Sequence, residues 1–189
     1  ETNAIMLKNR RIGLSQSGVV QAFNKFGRRT VYQWCDDAYK HVEEMDKEYS
    51  DWLCVPRSVR MTSIKPSGTV SLLNGSTPGI HFPEDEYYIR RIRFSKSSSL
   101  IPALREAGYK IEDDSYSPNT YCVEFPVKEP FFQKGKRDIS MWEQLEIAAQ
   151  YQHYWADNSV SITVTFKPEE AEQIKDALEM YESRLKAVS

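Results

Sequence analysis

Residues 62–73 of this chain read TSIKPSGTVSLL. The pattern at 59–64 predicts a strand, and residues 65–69 are a loop by composition. The apolar residues of the VSLL end predict the start of a short helix. A strand, a glycine-containing turn and a helix N-terminus therefore follow one another here.

The turn in this run has the features of a phosphate site. A helix N-terminus presents backbone N–H groups and the positive end of its dipole to an anion, and Ser67, Thr69 and Ser71 add hydroxyl groups. The loop is not of the Walker A type, because the pattern GxxxxGK[ST] is absent. From the residues alone an ordinary Ser/Gly turn is the commoner explanation, and a phosphate site is the sharper hypothesis.

Upstream of the run, the sequence predicts a short strand, a short helix and a long helix. Residues 11–15 have a strand pattern, and residues 18–26 indicate a helix that Gly27 closes. A capping box at Thr30 opens the next helix, predicted over 31–53. Its apolar stripe consists of Val31, Trp34, Cys35, Ala38, Val42, Met45, Tyr49 and Trp52.

Downstream of the run, strands and helices alternate. Strands are predicted at 88–95, 121–127 and 160–166, and helices at 99–107, at 140–155 behind a capping box at Ser140, and after Pro168. The segment 160–166 is the clearest strand, because its apolar residues alternate strictly. The final helix has an apolar face of Ala171, Ile174, Leu178, Tyr181 and Leu185. This order predicts an α/β fold with mainly parallel neighbours, formed by residues 1–189 as a single segment.

The composition excludes several classes of protein. Of the 189 residues, 40% are hydrophobic and 28% are charged, which is typical of a globular chain and not of a disordered one. No run approaches the ~20 apolar residues that span a bilayer, and the N-terminus lacks the pattern of a signal peptide. The net charge of −2 excludes a general binder of nucleic acids or other polyanions.

The spacing of cysteines and histidines argues against a metal site and against disulfides. Cys35, Cys54 and Cys122 lie far apart and form no CxxC pair. The three histidines show no HxH or HxxxH spacing. We therefore expect no metal, reduced thiols and a cytoplasmic location. Cys35 is expected in the core because it lies on the apolar stripe of the long helix, and the role of Cys54 is left open.

Three further features have two interpretations each. Cys122 and Glu124 are interpreted as strand residues because the surrounding pattern is that of a strand, and the alternative of a catalytic pair rests on a family resemblance and not on the spacing. The arginines within 90–93 either form surface ion pairs with the acidic residues at 84–86 or add positive potential near a bound phosphate. His81 is interpreted as a turn residue, with an approach to a substrate as the alternative.

The central run is part of a longer pattern that resembles a known family. Residues 62–81 read TSIKPSGTVSLLNGSTPGIH, residues 87–93 read YYIRRIR, residues 9–14 read NRRIGL and residues 154–161 read YWADNSVS. Together they resemble the adenosylcobalamin-dependent ribonucleoside-triphosphate reductases, the monomeric class II ribonucleotide reductases. The resemblance extends over nearly the whole chain. It implies that residues 1–189 are the C-terminal part of the family's ten-stranded α/β barrel.

The resemblance also implies a site and an activity. In that family the Pro-Ser-Gly-Thr loop holds the substrate's phosphates, which implies a phosphate-binding loop of Ser67, Gly68, Thr69, Val70 and Ser71. The implied reaction is the thiyl-radical reduction of ribonucleoside triphosphates to 2′-deoxyribonucleoside triphosphates. The implied cofactor is adenosylcobalamin, and the implied partners are a thioredoxin-like reductant and the missing N-terminal half of the barrel.

The family's radical cysteine is expected upstream of Asn9, and its C-terminal cysteine pair beyond Ser189. We therefore expect no catalytic residue within this chain, and we expect the chain alone to be inactive. A second hypothesis is a stand-alone, non-catalytic module that binds phosphate or a nucleotide. A reading frame that continues past both ends, or a second gene for the other half, favours the enzyme. A stop codon after Ser189 with no partner gene favours the module.

Overall fold

The computed structural model describes residues 1–68 and 70–189. The helices are α1 (Thr2–Asn9), α2 (Val19–Phe26), α3 (Arg28–Trp52), α4 (Val70–Leu73), α5 (Leu100–Glu106), α6 (Met141–Tyr154) and α7 (Ile174–Tyr181), the last preceded by a 3₁₀ helix at Pro168–Gln173. The strands are β1 (Arg11–Leu14), β2 (Arg60–Thr62), β3 (Tyr87–Ser95), β4 (Ile111–Asp113) and β5 (Thr120–Lys128). Residues 1–84 and 130–189 form unit 1, and residues 85–129 form unit 2. A search of the described helices finds none with the length and apolar character needed to cross a membrane.

Unit 1 contains the parallel strands. β1 and β2 pair in parallel, with Arg11 opposite Arg60 and Leu14 opposite Thr62. Just beyond β2, Ile64 forms a parallel bridge with Val160. The prediction of parallel neighbours is therefore confirmed in this unit, and the turns that follow β1 and β2 lie at the same edge of the sheet.

The segment 160–166, predicted as the clearest strand, is not a continuous strand. Val160 bridges to Ile64, and the Val164 N–H donates to the Ser189 carbonyl oxygen at 2.8 Å, but no ladder joins these two contacts. Val160 and Ile162 are nevertheless buried. The alternating pattern therefore reflects the burial of one face of the segment, which does not require a neighbouring strand along its whole length.

The core of unit 1 includes residues of α2, α3 and α6. Val31 and Cys35 of α3 are buried as predicted, and Tyr151 of α6 is fully buried. Trp34 and Trp52, which were assigned to the same apolar stripe, are 50% and 69% exposed. The long helix therefore packs along a narrower face than its sequence pattern indicates.

The ends of the helices agree only in part with the predicted caps. The capping box at Thr30 is not formed, because α3 already begins at Arg28 and Gly27 is its N-cap. The Ser140 cap is confirmed, since the Glu143 N–H donates to Ser140 Oγ at 3.1 Å.

The final helix buries a narrower face than its sequence pattern predicts. Ala177 and Tyr181 are buried, whereas Leu178 is 49% exposed and Ala171 is also exposed. Leu178 and Ala171 were both assigned to the buried face, and that assignment is wrong.

Unit 2 is a small antiparallel sheet with one helix. Its strand order is β3-β5-β4, and both pairings are antiparallel. Val123 of β5 and Ile101 of α5 are buried. The prediction of mainly parallel neighbours is therefore wrong for this unit. β4 and β5 are joined by residues 114–119 alone, which is shorter than the crossover that a parallel pair needs.

Candidate functional site

The predicted phosphate loop lies directly after β2. Ser67 adopts a left-handed conformation with φ of 45°, which is uncommon for a residue with a side chain. Its carbonyl oxygen accepts hydrogen bonds from the Ser71 N–H at 3.1 Å and from Ser71 Oγ at 2.6 Å. The loop thereby turns into α4, which begins at Val70. Thr69, the central hydroxyl of the predicted site, lies outside the described residues.

The hydroxyl of Ser67 is held from two sides. The Gly79 N–H donates to Ser67 Oγ at 3.1 Å, and Ser17 Oγ lies 2.6 Å from Ser67 Oγ. Ser71, by contrast, is buried, and its hydroxyl is used within the loop. Of the predicted hydroxyls in the described part of the loop, that of Ser67 is therefore the one at the surface.

The turn between β1 and α2 forms hydrogen bonds with the start of the loop and with the turn at Thr77. The Lys65 N–H donates to Ser15 Oγ at 2.9 Å, and the Gly18 N–H donates to the Thr77 carbonyl oxygen at 2.8 Å. These contacts follow from the parallel pairing of β1 and β2, because the carboxyl ends of adjacent parallel strands meet at one edge of a sheet. Ligands of α/β proteins bind at that edge.

Gly68 has open space around its α-carbon. An added Cβ would meet no atom within 4 Å, and its φ does not lie in the left-handed region. A backbone conformation unsuited to other residues is therefore not the reason for glycine at this position. Glycine at this position also permits the close approach of another group to the backbone.

His81 is engaged through both ring nitrogens. Nε2 accepts a hydrogen bond from the Thr163 N–H at 3.2 Å, so Nε2 carries no proton. Nδ1 therefore carries the proton and donates to the Pro78 carbonyl oxygen at 3.0 Å. This geometry favours the interpretation of His81 as a turn residue that joins the Pro78 turn to the segment after Val160.

The cysteine-x-glutamate pair lies in the middle of unit 2. Cys122 is buried on β5, opposite Arg93 of β3, and Glu124 is paired with Arg91, whose Nε lies 3.5 Å from Glu124 Oε1. Both residues belong to a paired strand and not to a loop tip. The interpretation as a strand is therefore confirmed, and nothing in this arrangement supports catalysis.

Arg91 and Arg93 of β3 form ion pairs with acidic residues of unit 2. Arg91 Nη2 donates to Glu112 Oε2 at 2.6 Å, and Arg93 Nε donates to Asp114 Oδ1 at 2.9 Å. The hydrogen bond from Arg93 lowers the pKa of Asp114. The surface ion-pair interpretation is thus correct, but these partners lie beside β5 in space and not in the acidic run at 84–86.

Sequence reasoning did not connect Ser15, Ser17 and Gly79 with the predicted loop, which they contact in the structure. Ser15 and Ser17 belong to the stretch LSQSG after β1, and hydroxyl residues in a strand-to-helix turn are a recognisable signal. Their distance of about fifty positions from the loop is what hid them. Only the pairing of β1 with β2 brings the two turns together.

Comparison with known proteins gives a consistent result. No protein-family model matches the chain. It is 48% identical over 190 residues to a probable adenosylcobalamin-dependent ribonucleoside-triphosphate reductase of Dictyostelium discoideum, and 46% identical over 191 residues to the adenosylcobalamin-dependent ribonucleoside-triphosphate reductase of Euglena gracilis. Both alignments cover 100% of this chain, but 25% and 26% of those proteins. The chain therefore spans about a quarter of the length of these curated relatives.

A solved structure supports the same relationship. The crystal structure of a B12-dependent class II ribonucleotide reductase superposes with a TM-score of 0.87 at 36% identity, covering 99% of this chain and 30% of the other. The resemblance inferred from the motifs is confirmed, and so is the α/β fold as part of that larger architecture.

Proposed function

We propose that this chain is part of an adenosylcobalamin-dependent ribonucleoside-triphosphate reductase, in which it supplies barrel strands and the loop that binds the substrate's phosphates. The assembled enzyme, meaning this chain joined to or mixed with the other three quarters of the protein, would reduce ribonucleoside triphosphates to 2′-deoxyribonucleoside triphosphates. The similarity over the whole chain to one quarter of such reductases supports this proposal.

The observation that carries the phosphate assignment is the environment of Gly68. An added Cβ at Gly68 would meet no atom within 4 Å, and the approach of a ligand to the backbone is the reason for glycine that we propose. The loop lies at the carboxyl end of a parallel strand and turns into the N-terminus of α4, where backbone N–H groups favour anions. A triphosphate is the ligand of matching charge in the proposed reaction.

We propose that this chain associates with the rest of the barrel. β1 pairs with β2 on one side, and its side chains Ile12 and Leu14 are 42% and 45% exposed. An edge strand with exposed apolar residues is suited to a further strand. We assign the thiyl-radical step and the contact with a thioredoxin-like reductant to that remainder. We also place the protein in the cytoplasm, in agreement with its free cysteines.

None of three cavities of unit 1 is large enough by itself for adenosylcobalamin. These cavities have volumes of about 280, 460 and 480 Å³. Cavities that bind drug-sized ligands have volumes of about 300–1,000 Å³. A corrin with its nucleotide tail is larger than such ligands. No group of His, Cys, Asp and Glu suited to a metal ion occurs among the described residues. We therefore assign no cofactor contact to this chain.

The substitutions Gly68→Ala and Gly68→Val in the assembled enzyme test the proposal. Both should raise the KM for the triphosphate, the valine more strongly, while the midpoint of urea unfolding stays unchanged because the protein leaves room for the side chain. Gly75→Ala is the control in the same segment. Its Cβ also meets open space, and its φ of 61° leads us to expect a loss of stability without a change in KM.

Each outcome separates the hypotheses. If wild-type protein reduces triphosphates but Gly68→Val leaves the KM unchanged, the loop does not bind the substrate. If the wild-type chain binds triphosphate by itself, and its gene has neither an extension nor a partner, the stand-alone module replaces the reductase.

A further inference from the structure

Ser17 stands beside the proposed phosphate loop and was not part of it in the sequence. It follows β1 and precedes α2, and its side chain is exposed. Its Oγ lies 2.6 Å from the Oγ of Ser67. This contact joins the two turns that follow the two paired parallel strands, at the edge where the loop is proposed to bind phosphate.

A count of hydrogens shows what this pair offers to a ligand. Each serine hydroxyl has one hydrogen to donate and two lone pairs to accept with. The single bond between Ser17 and Ser67 uses one of the two hydrogens, and either oxygen can be its donor. One O–H group therefore remains available in both arrangements.

The position of that remaining hydrogen is defined in each case. When Ser17 donates, Ser67 Oγ accepts from both Ser17 and the Gly79 N–H. Both lone pairs of Ser67 are then occupied, and Ser67 can only donate outward. When Ser67 donates instead, the hydrogen of Ser17 is the one left over. The pair thus always presents a donor, which suits an anionic oxygen.

The contacts of the pair in the described part of the chain include no carboxylate. A competing acid would occupy the spare hydrogen and repel an anion. Lys65, two residues before Ser67, instead adds a positive charge to the same loop.

We propose that Ser17 is a phosphate-binding residue, which together with Ser67 donates one hydrogen bond to a phosphate oxygen of the substrate. This inference rests on the proposed function, since it places a second turn at the same phosphate site. It extends that site from a single loop to the adjoining ends of β1 and β2.

The test is Ser17→Ala in the assembled enzyme. We expect the KM for the ribonucleoside triphosphate to rise roughly three- to tenfold, because without Ser17 the hydroxyl of Ser67 is no longer held with its hydrogen directed outward. The kcat should stay within about twofold, because binding is lost and chemistry is not. Ser17→Thr should restore most of the affinity, because it restores the hydroxyl.

Inhibitors distinguish a role of Ser17 in phosphate binding from a purely structural role. Inorganic tripolyphosphate should lose affinity for Ser17→Ala in the same ratio as the substrate, whereas an unphosphorylated nucleoside should bind the variant as it binds wild type. Ser15→Ala is the matched control, since it removes a hydroxyl from the same turn, one that contacts the Lys65 backbone and not Ser67. We expect Ser15→Ala to leave the ratio of the affinities for tripolyphosphate and nucleoside as it is in wild type.

The double variant Ser17→Ala/Ser67→Ala completes the test. The double variant should raise the KM by more than the product of the two single effects, because each single variant keeps one hydroxyl hydrogen and the double variant keeps neither. An unchanged KM and tripolyphosphate affinity in Ser17→Ala would overturn the inference, as would equal losses for nucleoside and tripolyphosphate. If Gly68→Val raises the KM while Ser17→Ala does not, only this inference fails. If neither changes it, the phosphate loop itself fails.

Discussion

Gly79 packs so closely against Lys65 that an added Cβ would lie 2.6 Å from the Lys65 carbonyl oxygen. Gly79 also has a φ of 52°, a conformation that residues with a side chain rarely adopt. Its N–H donates to Ser67 Oγ. The glycine of the Thr77-Pro78-Gly79 turn therefore sets the position of the serine in the phosphate loop.

Gly79→Ala should displace the loop. We expect a loss of about 1–3 kcal/mol from backbone strain, a further loss from the contact with Lys65, and a higher KM for the triphosphate. Gly75→Ala is the control, because it has a similar φ but open space around its Cβ. Urea unfolding and steady-state kinetics measure both effects. Equal effects of the two substitutions on KM would show that the contact with Lys65 is not important.

Leu14→Lys should weaken assembly with the remainder of the barrel. Leu14 is 45% exposed in this chain, so the substitution should leave the unfolding of this chain almost unchanged. Titration with the separately produced remainder, followed by size-exclusion chromatography, would give the affinity. Leu178→Lys, at a similarly exposed position on α7, is the control. Unimpaired assembly of Leu14→Lys would exclude the β1 edge from the interface.

Glu146→Gln should reduce stability in a pH-dependent manner. The hydrogen bond from Arg184 lowers the pKa of Glu146 from 4.5 to about 2, with further hydrogen bonds from Gln150 and Tyr181. A carboxylate whose pKa is lowered in the folded state stabilises it fully above about pH 4.5, and this contribution disappears as the pH falls towards 2. Urea unfolding between pH 2 and 7 should therefore show a difference in stability from wild type that is constant above about pH 4.5 and decreases as the pH falls towards 2.

Glu182→Gln is the control for that experiment. It removes the same charge at the exposed end of α7 but leaves the contacts of Glu146 with Arg184 and Tyr181 intact. A difference for Glu146→Gln that is constant from pH 2 to 7 would contradict the assignment.

The three cysteines should react at very different rates with a thiol reagent such as DTNB. Cys54 is exposed, whereas Cys35 and Cys122 are 3% and 7% exposed. Burial also raises the pKa of Cys35, which lowers the fraction of reactive thiolate. We expect one fast thiol in native protein at pH 8 and three in urea. Cys54→Ser should abolish the fast phase, and a second fast thiol would contradict the burial of the other two.

Much of the local structure could be predicted from the sequence. The helix over 31–53 and the strands at 88–95 and 121–127 are found within a few residues of the predicted bounds, because a long periodic pattern fixes the type of an element. The order of residues also placed the predicted phosphate loop in the turn after a strand. In each case the determining interactions lie within one element or between neighbours in the chain.

The tertiary structure decided where strands pair and which distant side chains meet. The segment 160–166 has a strand pattern but only scattered partners, and Arg91 and Arg93 pair with acids on other strands of unit 2. Ser17 meets Ser67 across fifty positions of sequence. A sequence pattern records which residues are buried, whereas pairing depends on which strand edges the packed helices bring together. For that reason the sequence alone determined the position of the loop and its family resemblance, and only the parallel pairing of β1 with β2 showed that a second turn contacts this loop.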